Sequence, residues 1–156
     1  METEEAVALP TVSLSLKNVA RKGRGVYTNE DISYGTLIHI SPILLFPTSS
    51  VEDTTGGLSP EGRVLSHYTY IFDRNQQALA LGLGSMFNHA KNNNVGFIID
   101  KKNLLIRYSS IRAISKGTEL CINYGNHLWF EDSGNPTDDC GSSSDEGEDP
   151  FGRMEL

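Results

Sequence analysis

Apolar and polar residues alternate along several short stretches of the chain, a period of two that is typical of half-buried β-strands. In residues 11–17, every second position is Val or Leu and the positions between them are polar. Such short stretches, with turn residues between them, predict a mainly β fold of several small sheets. Further strands are predicted at residues 26–28, 37–40, 43–46, 78–81, 95–100, 104–108 and 118–124.

One short helix is predicted among these strands. Ser59 precedes Pro60, so Ser is the expected N-cap and Pro the first helical residue, and the pattern ends near His67. Two prolines, Pro42 and Pro47, follow apolar runs. Because proline cannot donate a hydrogen bond to a neighbouring strand, we expect these residues to separate two strands.

Residues 32–38 and 114–120 resemble each other. Both read as an apolar residue, a turn containing Gly, and a strand that starts at Thr. The glycines, Gly35 and Gly117, are expected to adopt a positive φ. Because the likeness does not extend further, we interpret it as one turn used twice rather than as a repeat protein.

Three aromatic residues, Tyr68, Tyr70 and Phe72, alternate after the predicted helix. In an extended segment they share one face. The pattern leaves two interpretations open, a place in the hydrophobic core or the wall of an apolar slot.

The length of 156 residues predicts one folded domain, and the charge is spread unevenly along it. From residue 131 onward there are nine acidic residues and one basic residue, whereas residues 1–130 carry eleven acidic and twelve basic residues. We expect a flexible start at 1–10, a domain at 11–130 and an acidic, disordered tail at 131–156. The tail either only solvates the protein or contacts basic partners such as histones.

Composition argues against several classes of protein. No apolar run approaches the roughly 18–20 residues of a membrane span, and the acidic start does not resemble a secretory signal. The near-neutral domain lacks a basic run with interleaved aromatics, so direct binding of nucleic acid is not expected. The two cysteines, Cys121 and Cys140, are too few for a structural zinc site, and no metal is expected.

Three motifs carry the candidate chemistry, and each alone is ambiguous. Residues 22–27 read K-G-R-G-V-Y, which any hairpin turn could contain; residues 82–94 read G-L-G-S-M-F-N-H-A-K-N-N-N, where N-H could be a helix cap with a buried histidine. Residues 119–129 read E-L-C-I-N-Y-G-N-H-L-W, which could be a strand that enters a turn. In this order and spacing, over about residues 12–130, they resemble a SET domain, the lysine methyltransferase fold, and most closely its minimal viral and short fungal forms.

The resemblance implies a SET fold with a C-terminal pseudoknot and S-adenosylmethionine as the cofactor. Backbone groups around the glycines are then expected to hold the methionine end of the cofactor, Asn88 to bond it, and His89 to meet the adenine mainly through its backbone. The implied cofactor-binding residues are Lys22, Gly23, Arg24, Gly25, Asn88, His89, Tyr124 and Trp129.

The resemblance also implies two catalytic tyrosines and a narrow channel for the lysine side chain. Tyr124 is expected where the methyl group passes, and Tyr70 matches a second active-site tyrosine of the viral relatives. Leu128 stands where an aromatic residue is often found, which leaves the number of methyl groups added open. The implied channel residues are Tyr70, Phe87, Tyr124, Leu128 and Trp129.

Some positions depart from the family pattern N-H-S-C-x-P-N. Ala90 lacks the serine hydroxyl, and Asn93 replaces a proline that fixes the turn, whereas Lys91 fits the viral branch. The zinc-binding C-x-C tail of many relatives is missing. Because a homodimer helps to close the site in the minimal relatives, we expect a homodimer here.

The resemblance implies a protein-lysine N-methyltransferase that acts on a histone, with H3 as the first candidate, in the nucleus and with the cytoplasm as a second location. One alternative is a catalytically weak SET-like module that binds peptides and contacts histones with its acidic tail. Another is an unrelated β-rich enzyme that uses His89 as a base, although the sequence offers no nucleophile to partner it.

Overall fold

The computed structural model describes residues 7–19, 23–53 and 55–124. Strands dominate these residues, so the predicted mainly β architecture is confirmed. The strands are β1 (Leu14–Val19), β2 (Gly23–Thr28), β3 (Leu37–Pro47), β4 (Thr69–Ile71), β5 (Gln76–Ala80), β6 (Asn88–His89), β7 (Val95–Asp100), β8 (Leu105–Ser110) and β9 (Glu119–Ile122). One α-helix, α1 (Pro60–Leu65), and two 3-10 turns, Thr48–Val51 and Gly82–Met86, complete the described elements.

The strands form two sheets. One has the order β1-β2-β9-β6 and the other the order β4-β5-β3-β8-β7. Neighbouring strands are antiparallel except β6 and β9, which run parallel with Asn88 opposite Cys121 and His89 opposite Ile122. The last described strand therefore lies between the G-x-G strand and the Asn-His strand. The pseudoknot that the resemblance implies stays a prediction.

The two similar segments meet each other in space. Ile32 and Ile114 exchange two backbone hydrogen bonds of 2.8 Å, which form an antiparallel bridge. Gly35 and Gly117 have φ values of 76° and 82°, so the positive φ predicted for both turns is confirmed. The repeated sequence is thus one turn used twice, with the two copies paired.

The prediction that Pro42 separates two strands is wrong, because β3 runs without a break through eleven residues. The strand pairs with β8 as far as Pro42 and with β5 from Ile43 onward. Proline stands where the strand changes partner, so its missing N–H interrupts neither ladder. Its carbonyl oxygen accepts a 2.9 Å hydrogen bond from the main-chain N–H of Leu81.

Helix α1 begins as predicted. The Ser59 hydroxyl accepts a 2.9 Å hydrogen bond from the N–H of Gly62, and Pro60 occupies the first turn. The helix ends at Leu65, two residues earlier than expected. No helix in the described part of the chain is long and apolar enough to cross a membrane.

The hydrophobic core draws on both sheets. Tyr70 and Phe72 pack against it, whereas Tyr68 stays 40% exposed, so the three alternating aromatics do not share one environment. The fully buried side chains at its centre include Val26, Ile38, Phe87, Val95, Ile106, Tyr108, Leu120 and Ile122.

Candidate active site

The order of the four-stranded sheet brings the three motifs together. β9 pairs on one side with β2, which starts with Gly23, and on the other with β6, which is Asn88–His89. Tyr124 follows the end of β9 by two residues. The parts of the chain that carry the candidate cofactor and catalytic residues are therefore neighbours across a single strand.

The start of β2 presents bare backbone. Gly23 has a φ of 80°, and a Cβ built on it would meet no atom of the described residues within 4 Å. Arg24 is exposed, whereas Gly25 is buried. A positive φ with open space above it is what a ligand-facing glycine requires. Lys22, predicted to take part, lies outside the described residues.

The amide of Asn88 is held by two acceptors. Its Nδ2 donates a 2.7 Å hydrogen bond to Oε1 of Glu119 and a longer one of 3.3 Å to the carbonyl oxygen of Arg24. Because both partners can only accept, the amide nitrogen must face them and Oδ1 must point away. The side chain of Asn88 is half-buried, so the two hydrogen bonds hold its amide in place while part of the side chain stays accessible to solvent.

His89 fixes the chain at Tyr124. Its Nδ1 accepts a 3.1 Å hydrogen bond from the main-chain N–H of Tyr124, and the two ring centroids lie 5.3 Å apart. The imidazole thus acts on the backbone that carries the predicted catalytic tyrosine. An acceptor at Nδ1 means that this nitrogen is unprotonated in this arrangement.

The hydroxyl of Tyr124 is held on the same motif. It donates a 2.6 Å hydrogen bond to the carbonyl oxygen of Phe87, next to Asn88. Burial, helped by the negative charge that Tyr68 and Glu119 can carry, raises the pKa of Tyr124 to about 12. The group is therefore a neutral phenol at physiological pH, suited to orient partners rather than to remove protons as a phenolate.

Tyr70 belongs to a second hydroxyl cluster. Its hydroxyl donates a 2.9 Å hydrogen bond to the carbonyl of Gly84 and accepts one of 3.0 Å from the hydroxyl of Tyr108. Burial raises the pKa of both phenols, and the proximity of Tyr124 contributes to both shifts. Tyr70 also packs edge-on against Phe97 at 5.0 Å.

Tyr70, Gly84 and Phe97 line a cleft with a volume of about 490 Å³. Both predicted catalytic tyrosines, Tyr70 and Tyr124, reach its wall. Phe87 also lines it, but its side chain is only 1% exposed and packs on Tyr108 at 4.7 Å, so its carbonyl carries the contact with Tyr124. The other predicted channel residues, Leu128 and Trp129, lie outside the described residues.

The two asparagines after the Asn-His pair have separate structural roles. Asn93 Nδ2 donates a 2.9 Å hydrogen bond to the carbonyl of Val95, which closes the turn where relatives carry proline. Asn94 is 2% exposed; it donates to the carbonyl of Glu119 at 2.8 Å and accepts from the N–H of Cys121 at 2.9 Å. Its side chain therefore pairs with β9 as another strand would.

Sequence reasoning missed four residues of the site: Glu119, Tyr108, Phe97 and Gly84. One signal was available for Glu119, because the two similar turns carry Leu37 and Glu119 at the same position. A charged residue at a position that is apolar in the other turn indicates a specific partner. The structure shows why a partner is needed, because all four residues of β9 are buried. Nothing local marked Tyr108 or Phe97, because they meet only by the pairing of β7 with β8.

Comparison with known proteins gives consistent results. The SET domain family model matches residues 23–125. A histone-lysine N-methyltransferase of Schizosaccharomyces pombe, described as H3 lysine-37 specific, is 45% identical over 119 residues, which are 76% of this chain and 78% of the relative. A solved structure of a candidate histone methyltransferase from Plasmodium falciparum has a TM-score of 0.59 and 24% identity, and covers 78% of this chain and 100% of the other. That structural likeness concerns the fold alone, but the family model and the curated relative are sufficient: the chain belongs to the SET-domain family.

Proposed function

We propose that the protein is an S-adenosylmethionine-dependent protein-lysine N-methyltransferase whose substrate is a histone, with H3 as the first candidate. The observation that carries the proposal is the position of the Tyr124 hydroxyl. It is tied to Phe87 at the wall of the cleft, one residue from Asn88. Cofactor-facing and substrate-facing groups are thus adjacent on one motif.

The described residues fit the cofactor. The open backbone at Gly23 gives space for a ligand to lie against the start of β2. Asn88 Oδ1 points away from the two acceptors that hold its nitrogen. A carbonyl oxygen in this orientation, near the start of β2, suits the ammonium of an amino-acid moiety. Gly23, Arg24, Gly25, Asn88 and His89 would hold the cofactor.

The residues of the cleft suit a lysine amine. A lysine with its usual pKa of about 10.4 must lose a proton first, which costs about 4.6 kcal/mol at pH 7. The cleft would lower that cost because its walls are more apolar than polar, and removal of water from the amine disfavours the charged ammonium. The cofactor would supply a methyl group carried by a positively charged sulfonium. The amine nitrogen would bond to the methyl carbon as the sulfur–methyl bond breaks.

Tyr124 would orient the reacting amine. Its neutral hydroxyl and the carbonyl of Phe87 form a fixed polar point in the wall of the cleft. Tyr70 lies in the same wall, but its hydroxyl is already engaged with Gly84 and Tyr108. We therefore assign the main catalytic role to Tyr124 and a shaping role to Tyr70. Alignment of nitrogen, methyl and sulfur would supply much of the remaining rate.

A substrate peptide has a place to bind beside the cleft. β4 is an edge strand of the described five-stranded sheet, and it carries Tyr70. Main-chain groups on the outer side of an edge strand can pair with an added extended peptide. A histone tail bound along β4 would pass the cleft with alternate side chains turned toward it.

The substrate class follows from the relative in Schizosaccharomyces pombe, whose description names lysine 37 of histone H3. At 45% identity over most of both chains, the same histone is the first substrate to test. A histone substrate places the protein in the nucleus, and newly made histones would also be met in the cytoplasm. The acidic tail would add attraction to a basic histone.

We also propose a homodimer. The outer face of the five-stranded sheet exposes Leu44 by 56% and Ile71 by 82%, and the register places Leu79 between their strands. Apolar side chains grouped on one face favour association. Light scattering after size exclusion should show a dimer that Leu44→Asp converts to a monomer. Ile98→Asp, at a site that is 73% exposed on the opposite edge strand, serves as the control.

One titration and one assay separate the enzyme from the alternative, a peptide-binding module without turnover. The full-length protein is titrated calorimetrically with S-adenosylmethionine and then incubated with the cofactor and core histones for mass spectrometry. Binding together with a methyl mass gain on a lysine of H3 is the expected result. Failure to bind the cofactor would leave only the peptide-binding module.

A further inference from the structure

We propose that Glu119 is a positioning residue that orients Asn88 for the ammonium group of the cofactor; this inference rests on the proposed function. Glu119 is only 8% exposed and lies in β9, between the G-x-G strand and the Asn-His strand. Its Oε1 accepts a 2.7 Å hydrogen bond from Asn88 Nδ2. In the described part of the chain, the carboxylate forms no ion pair. A buried charge without an opposite charge is costly unless it serves a purpose.

The geometry gives that purpose. An asparagine amide can rotate by 180°, which exchanges a donor for an acceptor at nearly the same position. The carbonyl of Arg24 lies 3.3 Å from Nδ2, too far to hold one orientation strongly by itself. The short, charge-assisted bond to Glu119 selects the orientation in which Oδ1 faces outward. Only that orientation presents an acceptor to an ammonium.

Glu119 would also contribute through its charge. It lies beside the group that receives the ammonium, and its influence reaches the hydroxyls of Tyr27 and Tyr124, whose pKa values it helps to raise. A buried negative charge so placed attracts a cationic amino group. Both contributions act on the amino-acid end of the cofactor, and the larger one acts through Asn88. Glu119 is not expected to contact the substrate lysine.

Two ligands isolate this role. S-adenosylhomocysteine and methylthioadenosine are both uncharged at sulfur, but only the first has the amino-acid end. Calorimetry is carried out with the full-length protein, its Glu119→Ala and Glu119→Gln variants, and the same substitutions in an Asn88→Ala background. Glutamine keeps an oxygen that can accept from Asn88, so it separates orientation from charge.

Glu119→Ala should weaken the binding of S-adenosylhomocysteine by about 10- to 100-fold, as expected for loss of a charge-assisted hydrogen bond and its consequences. The affinity for methylthioadenosine should change by less than about threefold. The affinity of Glu119→Gln for S-adenosylhomocysteine should lie between those of Glu119→Ala and the wild type. In the Asn88→Ala background the orientation effect is lost, and Glu119→Ala should weaken the binding of S-adenosylhomocysteine by less than about threefold, the part that its charge contributes directly. Equal loss for both ligands, or full additivity with Asn88→Ala, would overturn the proposal.

A second measurement needs no variant that might fail to fold. Side-chain ¹⁵N relaxation of Asn88 in the wild-type protein without ligand should show an amide as rigid as the backbone around it. A freely rotating amide would contradict pre-orientation by Glu119. If the wild type binds neither ligand, the proposed cofactor fails; if it binds S-adenosylhomocysteine and Glu119→Ala binds it equally well, only the role of Glu119 fails.

Discussion

The main-chain N–H of Tyr124 donates a 3.1 Å hydrogen bond to Nδ1 of His89. This contact links a residue on β6 to the chain just beyond β9, and it continues the parallel pairing of those two strands. The histidine of the Asn-His motif therefore has a structural task on the catalytic side of the site. The family resemblance implies a contact with the adenine mainly through the backbone of His89, and the ring contact is additional to that role.

That contact predicts a graded response at position 89. His89→Leu removes the acceptor and should lower kcat about tenfold, because a hydrogen bond of about 1–1.5 kcal/mol that places Tyr124 is lost. His89→Asn puts an amide oxygen near the position of Nδ1 and should retain most of the rate. Steady-state kinetics with histone H3 test the pair, with cofactor affinity measured alongside. Equal kcat values for the two variants would contradict the positioning role.

Tyr124→Phe should separate binding from chemistry. The hydroxyl meets only the carbonyl of Phe87 among the described residues, so its removal leaves the backbone contact with His89 in place. We expect kcat to fall by about 100-fold or more and cofactor affinity to change by less than about threefold. Tyr34→Phe, at a hydroxyl on a side chain that is 76% exposed, is the matched control. An unchanged rate for Tyr124→Phe would remove Tyr124 from the mechanism.

The sequence predicted the strands better than their arrangement. Alternation and turn residues are local, which is why the strands β7 and β8, the helix start at Ser59 and both glycine turns were predicted correctly. The continuity of β3 through Pro42 was missed, because it depends on a change of partner strand that no local pattern records.

The same distinction applies to the site. Gly23, Asn88 and Tyr124 were grouped by family resemblance, and the sheet order brings their strands together. Tyr108 and Glu119 contribute through contacts with residues 38 and 31 positions away in sequence, respectively. Such contacts form only when the sheets are assembled, so periodicity cannot reveal them.

Asn94 should be one of the most sensitive polar residues of the fold. Asn94→Ala leaves the carbonyl of Glu119 and the N–H of Cys121 without their side-chain partner in a buried strand. Loss of two buried hydrogen bonds should reduce the free energy of unfolding by about 2–4 kcal/mol, as measured by urea denaturation. Asn103→Ala, which removes an exposed amide bonded to Asp100, should cost about 0.5 kcal/mol or less. Similar losses for both would show that Asn94 does not support β9.

Gly84→Ala tests the packing behind Tyr70. A Cβ at this position would lie 2.6 Å from the hydroxyl oxygen of Tyr108 and would also collide with the hydroxyl of Ser41. Because β3 and β8 hold these groups, the clash should cost about 1–3 kcal/mol of stability and displace the carbonyl that accepts from Tyr70.

Gly57→Ala provides the control for that substitution. The atoms nearest to a Cβ at Gly57 belong to the side chain of Asp53, at 3.3 Å and beyond, on an exposed turn. The free energy of unfolding of Gly57→Ala should differ from that of the wild type by about 0.5 kcal/mol or less, as measured by urea denaturation. If Gly84→Ala were equally mild, the cluster of Tyr70, Tyr108 and Ser41 would not be as rigid as its contacts imply.

Tyr108 makes the stability of the protein sensitive to alkaline pH. The side chain is fully buried, and burial raises the pKa of its phenol above the usual value of about 10. Above pH 10 the unfolded chain releases a proton that the folded protein keeps. Each such tyrosine then lowers the free energy of unfolding by up to about 1.4 kcal/mol per pH unit, whereas below pH 10 it contributes no slope.

Comparison with Tyr108→Phe isolates this effect from the other titrating groups. Near pH 8 the wild type should be more stable by about 1 kcal/mol, because its hydroxyl donates to Tyr70. The advantage should shrink above pH 10 and vanish near pH 11, since only the wild type bears the cost of keeping this buried phenol protonated. Urea denaturation at pH 8, 9, 10 and 11 measures the difference. A constant difference across this range would mean that Tyr108 ionises as easily in the folded protein as in the unfolded chain, and that its burial does not control its titration.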